Sequence, residues 1–135
     1  MKEITLDAVS DSIPKVTDWM ETELQALACP QKSMMQIAVA IDELVTNIVS
    51  YAYPDQPGEF SVKLECDDGM ATITFTDSGI PYDPLQKPDP DVTLPADQRK
   101  AGGLGIFLVK KLMDSMEYRR EGERNIVTIR KRIIE

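Results

Sequence analysis

Between Phe60 and Phe75 the chain alternates. Phe60, Val62, Leu64 and Cys66 precede Asp67-Asp68-Gly69, and Ala71, Ile73 and Phe75 follow it, with Ser61, Lys63 and Glu65 at the intervening positions. A period of two with one wet face predicts two half-buried strands, and the Asp-Gly pair between them predicts a tight antiparallel hairpin. Such a hairpin presents one apolar face, and the rest of the chain has to cover it.

The cover is predicted to be helical. In Ile37–Tyr53, reading IAVAIDELVTNIVSYAY, Ile37, Ile41, Leu44 and Ile48 recur at steps of three and four, which places them on one buried stripe. Upstream, Ile13, Val16, Met20, Leu24 and Leu27 form a second stripe with Trp19 at its margin. Asp11 or Ser12 is suited to cap that helix, Pro14 is tolerated in its first turn, and Cys29-Pro30 ends it. The Ile37 helix is expected from about Ser33, with Met34 and Met35 as core filler, and Tyr53-Pro54 stops it. A third helix follows Gly105, with Ile106, Val109 and Met113 on one side and Leu108 and Leu112 beside them. Lys2–Val9 reads as a first strand. Met116–Arg120 and Asn125–Ile133 read as two closing strands around Glu121-Gly122-Glu123-Arg124. The expected fold is α+β, a two-layer α/β sandwich with a mostly antiparallel sheet and its helices on one face.

One stretch resists this pattern. Of nine prolines, five fall between Pro81 and Pro95, a density that excludes a helix or a central strand. A loop of that length inside a compact domain is functional or disordered. The 135 residues make a single domain with no internal repeat, and no apolar run approaches the roughly 20 residues that cross a bilayer. The N-terminus lacks a secretion pattern, so a cytoplasmic location without membrane attachment is expected.

Charge and composition narrow the chemistry. A net charge of −8 argues against nucleic acid as a partner. The ten Lys/Arg and five Asp/Glu from Arg99 onward nevertheless give that end about +5, against about −13 for residues 1–98. A basic end of this kind is either a solvated face or a surface for a phosphate-rich or acidic partner. With no histidine, Ser-His-Asp and Cys-His catalysis, His-ligated zinc and a histidine phosphoacceptor are excluded. Any general base is then a carboxylate. Cys29 and Cys66 show no CxxC spacing, so buried or free thiols are expected.

Three clusters carry possible chemistry. Glu43 and Asn47 stand four apart and share one helix face, where an amide oxygen can ligate Mg²⁺ and a carboxylate one turn away can take a proton from an attacking hydroxyl. Asp77-Ser78-Gly79 ends a strand, where a carboxylate can accept from an exocyclic amine and a glycine lets a flat ring pass close to the backbone. Gly102-Gly103-Leu104-Gly105 opens a helix after the proline-rich loop, a setting in which backbone N–H groups approach an anion. Each alone is an ordinary helix edge or turn.

Taken in order, these three clusters resemble the GHKL (Bergerat-type) superfamily of ATP-binding domains. There a helix carries E-x-x-x-N, a strand end carries D-x-G, and a lid precedes a glycine-rich helix start. Here these are Glu43-Leu44-Val45-Thr46-Asn47, Asp77-Ser78-Gly79, a flexible lid over about 80–101, and Gly102 to Gly105. Within the superfamily the chain most resembles the small anti-sigma-factor serine/threonine kinases, through Asn47-Ile48-Val49-Ser50-Tyr51-Ala52-Tyr53, Asp77 to Pro84 and Gly103 to Val109. Pro81 stands where the wider superfamily has a second glycine, and Asn125 to Thr128 occupy the place of its closing Gly-Thr box.

The resemblance implies one ATP-binding kinase domain over 1–135, using ATP and Mg²⁺. It implies Glu43 as general base, Asn47 as Mg²⁺ ligand, Asp77 as adenine contact and Gly79 behind the ring. Gly102, Gly103, Leu104 and Gly105 would hold phosphates, and Arg99 or Lys100 would face the γ-phosphate. It further implies a partner switch: a homodimer that binds a sigma factor or similar client and phosphorylates a STAS-domain antagonist. The rival is a nucleotide-gated binding module without phosphotransfer, and the presence of Glu43 favours the kinase. A detached catalytic domain of a sensor histidine kinase fits less well, given the N-terminal strand and helix.

Overall fold

The computed structural model describes residues 1–86 and 104–134. Their order is β1 (Lys2–Asp7), α1 (Ser12–Ala26), α2 (Gln31–Asn47), a π-helical turn (Ile48–Ala52), β2 (Glu59–Asp67), β3 (Met70–Asp77), a 3-10 turn (Pro84–Gln86), α3 (Leu104–Leu112), β4 (Ser115–Glu121) and β5 (Arg124–Arg132). The strands form one sheet in the order β1-β2-β3-β5-β4, and every neighbouring pair is antiparallel. The sheet is therefore antiparallel throughout, and the α+β two-layer expectation holds.

Register follows from the turns. Asp67 faces Met70 across a two-residue turn in which Asp68 and Gly69 both have positive φ, 52° and 76°. Two consecutive left-handed residues fit the twist of the flanking strands, which is why Asp-Gly works there. Glu121 faces Arg124 in the same way, with Gly122 at φ 60°, so each closing strand is one residue longer at that turn than the sequence suggested.

Phe60, Val62, Leu64, Ala71, Ile73, Phe75 and Ile129 face the helices and are buried. Val16, Met20 and Leu24 of α1, Ile37, Ile41 and Leu44 of α2, and Ile106 and Val109 of α3 close on them. Burying each such side chain contributes about 1.5–3 kcal/mol, which outweighs the modest helix propensity of the β-branched residues among them. The opposite face carries Ser61, Lys63, Thr72, Thr74 and Thr128 and meets no helix among the described residues.

Local details depart from the sequence-based expectations. Asp11 occupies the N-cap position of α1 without a side-chain cap bond, and the entry is closed by Ser12 N–H to Val9 O at 2.9 Å and Ile13 N–H to Ser10 O at 3.1 Å. At the other end, Cys29 N–H bonds Leu24 O and Ala28 N–H bonds Gln25 O, a Schellman closure with Ala28 at φ 58° in the place glycine prefers. Helix α2 starts at Gln31, two residues before Ser33, because the Pro30 carbonyl accepts from Met34 N–H. Met34 is core, but Met35, one residue round the helix, is 61% exposed and fills nothing. The cysteines are free, Cys29 buried and Cys66 exposed. Among the described residues no helix is long and apolar enough to cross a membrane.

Candidate functional site

Helix α2 does not run regularly to Tyr53. After Asn47 it widens into the π-helical turn, in which Ile48 and Ala52 stay buried while the Ala52 carbonyl accepts from Ile80 N–H at 2.9 Å. Widened turns of this kind are frequent at functional sites. This one brings the end of α2 against the chain leaving β3. Tyr53 then leaves the helical region (φ −128°, ψ 72°), as a residue before proline must.

The contact between the two elements is tight. A Cβ on Gly79 would lie 2.2 Å from Ala52 O and 2.6 Å from Ala52 Cβ, so only glycine fits. The sequence suggested that Gly79 admits a ring; the close neighbour in this structure is the Ala52 backbone. Tyr53 adds a second tie, since its ring covers Gly58, its hydroxyl donates to Glu59 O and it accepts from Ser78 N–H at 2.8 Å. Burial, foremost among several influences, pushes the Tyr53 phenol above its usual range.

Between these elements lies a narrow slot with a free volume of about 30 Å³. Leu44, Ile48, Phe75 and Val127 give it apolar walls, Tyr82 and Pro84 close one side, and Asn47, Asp77 and Asn125 supply the polar groups. An apolar concavity with a few convergent polar groups is the usual form of a small-molecule site, and a flat ring would enter this one only by parting its walls. Asp77 ends β3 at only 7% exposed. Its Oδ1 accepts from Gly79 N–H and from Asn125 Nδ2, both at 2.9 Å. Among the described residues both bonds go to Oδ1, which leaves Oδ2 for a ligand donor.

Asn47 is the last residue of α2, and its Nδ2 is buried without a hydrogen-bond partner among the described residues. An unsatisfied buried donor costs about 1–3 kcal/mol, a cost that a ligand acceptor removes. One turn earlier, the Glu43 carboxylate lies against Gly105. A Cβ there would fall 2.0 Å from Glu43 Cδ and within 2.3 Å of both oxygens. Gly105 stands in the first turn of α3, at the end of a helix that favours negative charge. The structure thus brings Glu43, Asn47, Asp77, Gly79 and Gly105 around one region, with Leu104 opening α3. Arg99, Lys100, Gly102 and Gly103, and the lid from residue 87 onward, lie outside the described residues.

Some of the site's residues were not singled out from the sequence. Asn125 was noted only as standing where a Gly-Thr box would be, yet it sits opposite Asp77 in the β3–β5 register and is 3% exposed. Its parity with Val127 and Ile129 was a usable signal, since a polar residue on the core side of a strand needs partners. Tyr82 stacks on Tyr51 at 5.3 Å between ring centroids, and Arg120 donates to Gly79 O at 2.8 Å. The first residues of the expected lid are therefore built into the fold.

Comparison with known proteins bears on the family and the fold. The chain is 29% identical over 94 residues to the serine/threonine-protein kinase BtrW of Bordetella bronchiseptica, covering 69% of this chain and 66% of that one. It is 31% identical over 83 residues to the serine-protein kinase RsbW of Bacillus thuringiensis, covering 58% and 52%. The chain thus spans about half to two thirds of the length of these relatives. Among solved structures, the RsbU and RsbW domains of Rv1364c from Mycobacterium tuberculosis superpose with a TM-score of 0.66 at 15% identity, covering 98% of this chain and 33% of that one. The histidine kinase AdeS of Acinetobacter baumannii superposes at 0.54 and 15% identity, covering 100% and 69%. These two likenesses show the fold. Residues 6–131 match the family described as histidine kinase-like ATPase domain, so the chain belongs to the histidine kinase-like ATPase family, within the GHKL fold.

Proposed function

We propose that this chain is an ATP-dependent protein serine/threonine kinase working as a partner switch. It binds a sigma-factor-like client and phosphorylates a Ser or Thr of a STAS-type antagonist. The observation that carries the proposal is the pairing of Asp77 with the orphaned Asn47 amide in one slot, with Glu43 one turn away against the start of α3.

The donor set fits Mg²⁺-ATP. Asp77 at the slot offers an acceptor to an exocyclic amine, and Asn47 Nδ2, buried without a partner among the described residues, offers a donor to a nucleotide oxygen while its Oδ1 is the atom that would meet an ion. Among the described residues no three His, Cys, Asp or Glu side chains cluster to hold a metal. Asn47 would hold an Mg²⁺ ion through its amide oxygen, and the ion would supply charge stabilisation to the phosphates. Bound ATP supplies a phosphoryl group whose transfer calls for alignment and charge stabilisation. Asn47 would position the ion, and the start of α3 at Leu104 and Gly105 would offer backbone N–H groups to phosphate oxygens, a role also proposed for Gly102 and Gly103. Glu43 accepts the proton of the attacking hydroxyl, and Arg99 or Lys100 faces the γ-phosphate.

One observation favours a second reading. Glu43 is packed against Gly105 tightly enough to serve as a spacer, as a nucleotide-gated binding module without phosphotransfer would require. A radiolabelled-phosphate transfer assay with candidate STAS proteins separates the two, with Glu43→Ala as control. Labelling that disappears in Glu43→Ala supports the kinase. ATP binding with no partner ever labelled leaves only the binding module.

A further inference from the structure

Asn125 has more to do than fill the core. Its Nδ2 donates to Asp77 Oδ1 at 2.9 Å and to Ile80 O at 2.7 Å, and its Oδ1 accepts from the Tyr118 hydroxyl at 2.6 Å and from Tyr82 N–H at 3.3 Å. Both amide hydrogens and both oxygen lone pairs are thereby used. The orientation of the amide is fixed as well, because Ile80 O can only accept and Tyr82 N–H can only donate. A saturated side chain has nothing left for a ligand, so whatever Asn125 does it does through its neighbours.

Those neighbours come from three places: Asp77 at the end of β3, Ile80 and Tyr82 just beyond it, and Tyr118 on β4. A carboxylate turns easily about its last torsion. Asp77 is held because two donors, Gly79 N–H and Asn125 Nδ2, converge on the same oxygen, Oδ1. Hydrogen bonds to a charged acceptor are roughly twice as strong as neutral ones, so losing one of the two frees the rotation.

We propose that Asn125 is a positioning residue that locks Asp77 and the Ile80–Tyr82 segment into one unit, so that Asp77 Oδ2 is presented to the exocyclic amine of a purine. The inference rests on the nucleotide-site reading above and deepens it.

Asn125→Asp tests it. Below the upper apparent pKa of the resulting carboxylate pair, the two groups share one proton, and a protonated Asp at 125 donates to Oδ1 much as the amide does. Above that pKa two negative charges face each other and Asp77 is driven from its position. Among the described residues, the other titratable or charged side chains around this pair are Tyr53, which interacts with Asp77, Tyr82, whose backbone N–H meets Asn125, Tyr118, which donates to Asn125, and Arg120, which donates to Gly79 O.

ATP and purine riboside triphosphate, which lacks the amine, are titrated calorimetrically at about pH 6 and pH 8.5 with wild type as reference at each pH. Circular dichroism checks that each variant is folded. Relative to wild type, Asn125→Asp is expected to bind ATP about tenfold more weakly at the higher pH than at the lower, and to lose its preference for ATP there. Tyr118→Phe, which removes the hydroxyl bond to Asn125 Oδ1, is expected to lower that preference about threefold at both pH values. Equal ATP affinity of a folded Asn125→Asp at both pH values, or an undiminished preference at the higher one, overturns the proposal. If Asn125→Asp is unfolded at both, an unchanged preference in Tyr118→Phe overturns it. Wild type that binds no adenine nucleotide overturns the nucleotide reading and this inference with it.

Discussion

Asn47 ends α2 with its Nδ2 inside the protein and no described group to bond. A ligand acceptor that reached this donor would remove the cost of leaving it unpaired. Asn47→Ala is expected to abolish Mg²⁺-ATP binding while leaving the fold intact, whereas Glu43→Ala largely spares binding and stops transfer. Equal nucleotide affinity for Asn47→Ala and wild type, measured by calorimetry, refutes the metal assignment. Tyr53 supports a different expectation. Tyr53→Phe removes the solvent-accessible bonds to Ser78 N–H and Glu59 O and is expected to cost about 0.5–1.5 kcal/mol in urea unfolding. Because burial raises the phenol's pKa in the folded state, its contribution is complete below the unfolded value of about 10 and is lost as pH rises through the folded one. Wild type should therefore lose stability more steeply than Tyr53→Phe above about pH 10 in the same unfolding series.

Among the elements, the ones legible in the sequence are those whose period was strict. The hairpin from Glu59 to Asp77 and the stripes of α1 and α2 follow directly from alternation and from three-four spacing, because burial dominates their energetics. The site was half legible. Glu43, Asn47, Asp77 and Gly105 carry chemistry in their type and spacing. Asn125, Tyr118 and Tyr82 depend on the β3–β5 and β4–β5 register, which no local pattern reports. The π-helical turn was illegible for a similar reason. It is set by the Ala52 to Ile80 bond between distant segments and not by propensity within Ile48–Ala52. The Ala28 closure of α1 offers a direct test at this scale. A left-handed alanine is strained by about 1 kcal/mol relative to glycine, so Ala28→Gly should stabilise the protein by about 0.5–1 kcal/mol and raise Tm by about 2–5 °C in calorimetric melting. An unchanged or lower Tm would show that the closure tolerates alanine without strain.

Across the whole molecule, the candidate site draws on α2, the chain after β3, the start of α3 and the middle of the sheet. No contiguous fragment contains it. Nucleotide binding should therefore stabilise the entire fold and not one corner of it: at 100 times Kd the ligand adds about 2.7 kcal/mol, and Tm should rise by about 5–10 °C in a single cooperative transition. A nucleotide that tightens hydrogen exchange only around α2, with Tm unmoved, would contradict a site shared in this way. The uneven charge, acidic before residue 98 and basic after it, leaves the two halves of the chain attracting each other once the sheet has closed.

Strand β5 follows β4 in the chain yet lies inside the sheet, between β3 and β4. During synthesis the first hairpin can form early, but its outer neighbour on the β3 side arrives only when residues 124–132 have left the ribosome. Until then Asp77 lacks Asn125 and the slot lacks a wall. A product truncated before Asn125 therefore lacks both the second donor to Asp77 Oδ1 and the Val127 wall of the slot.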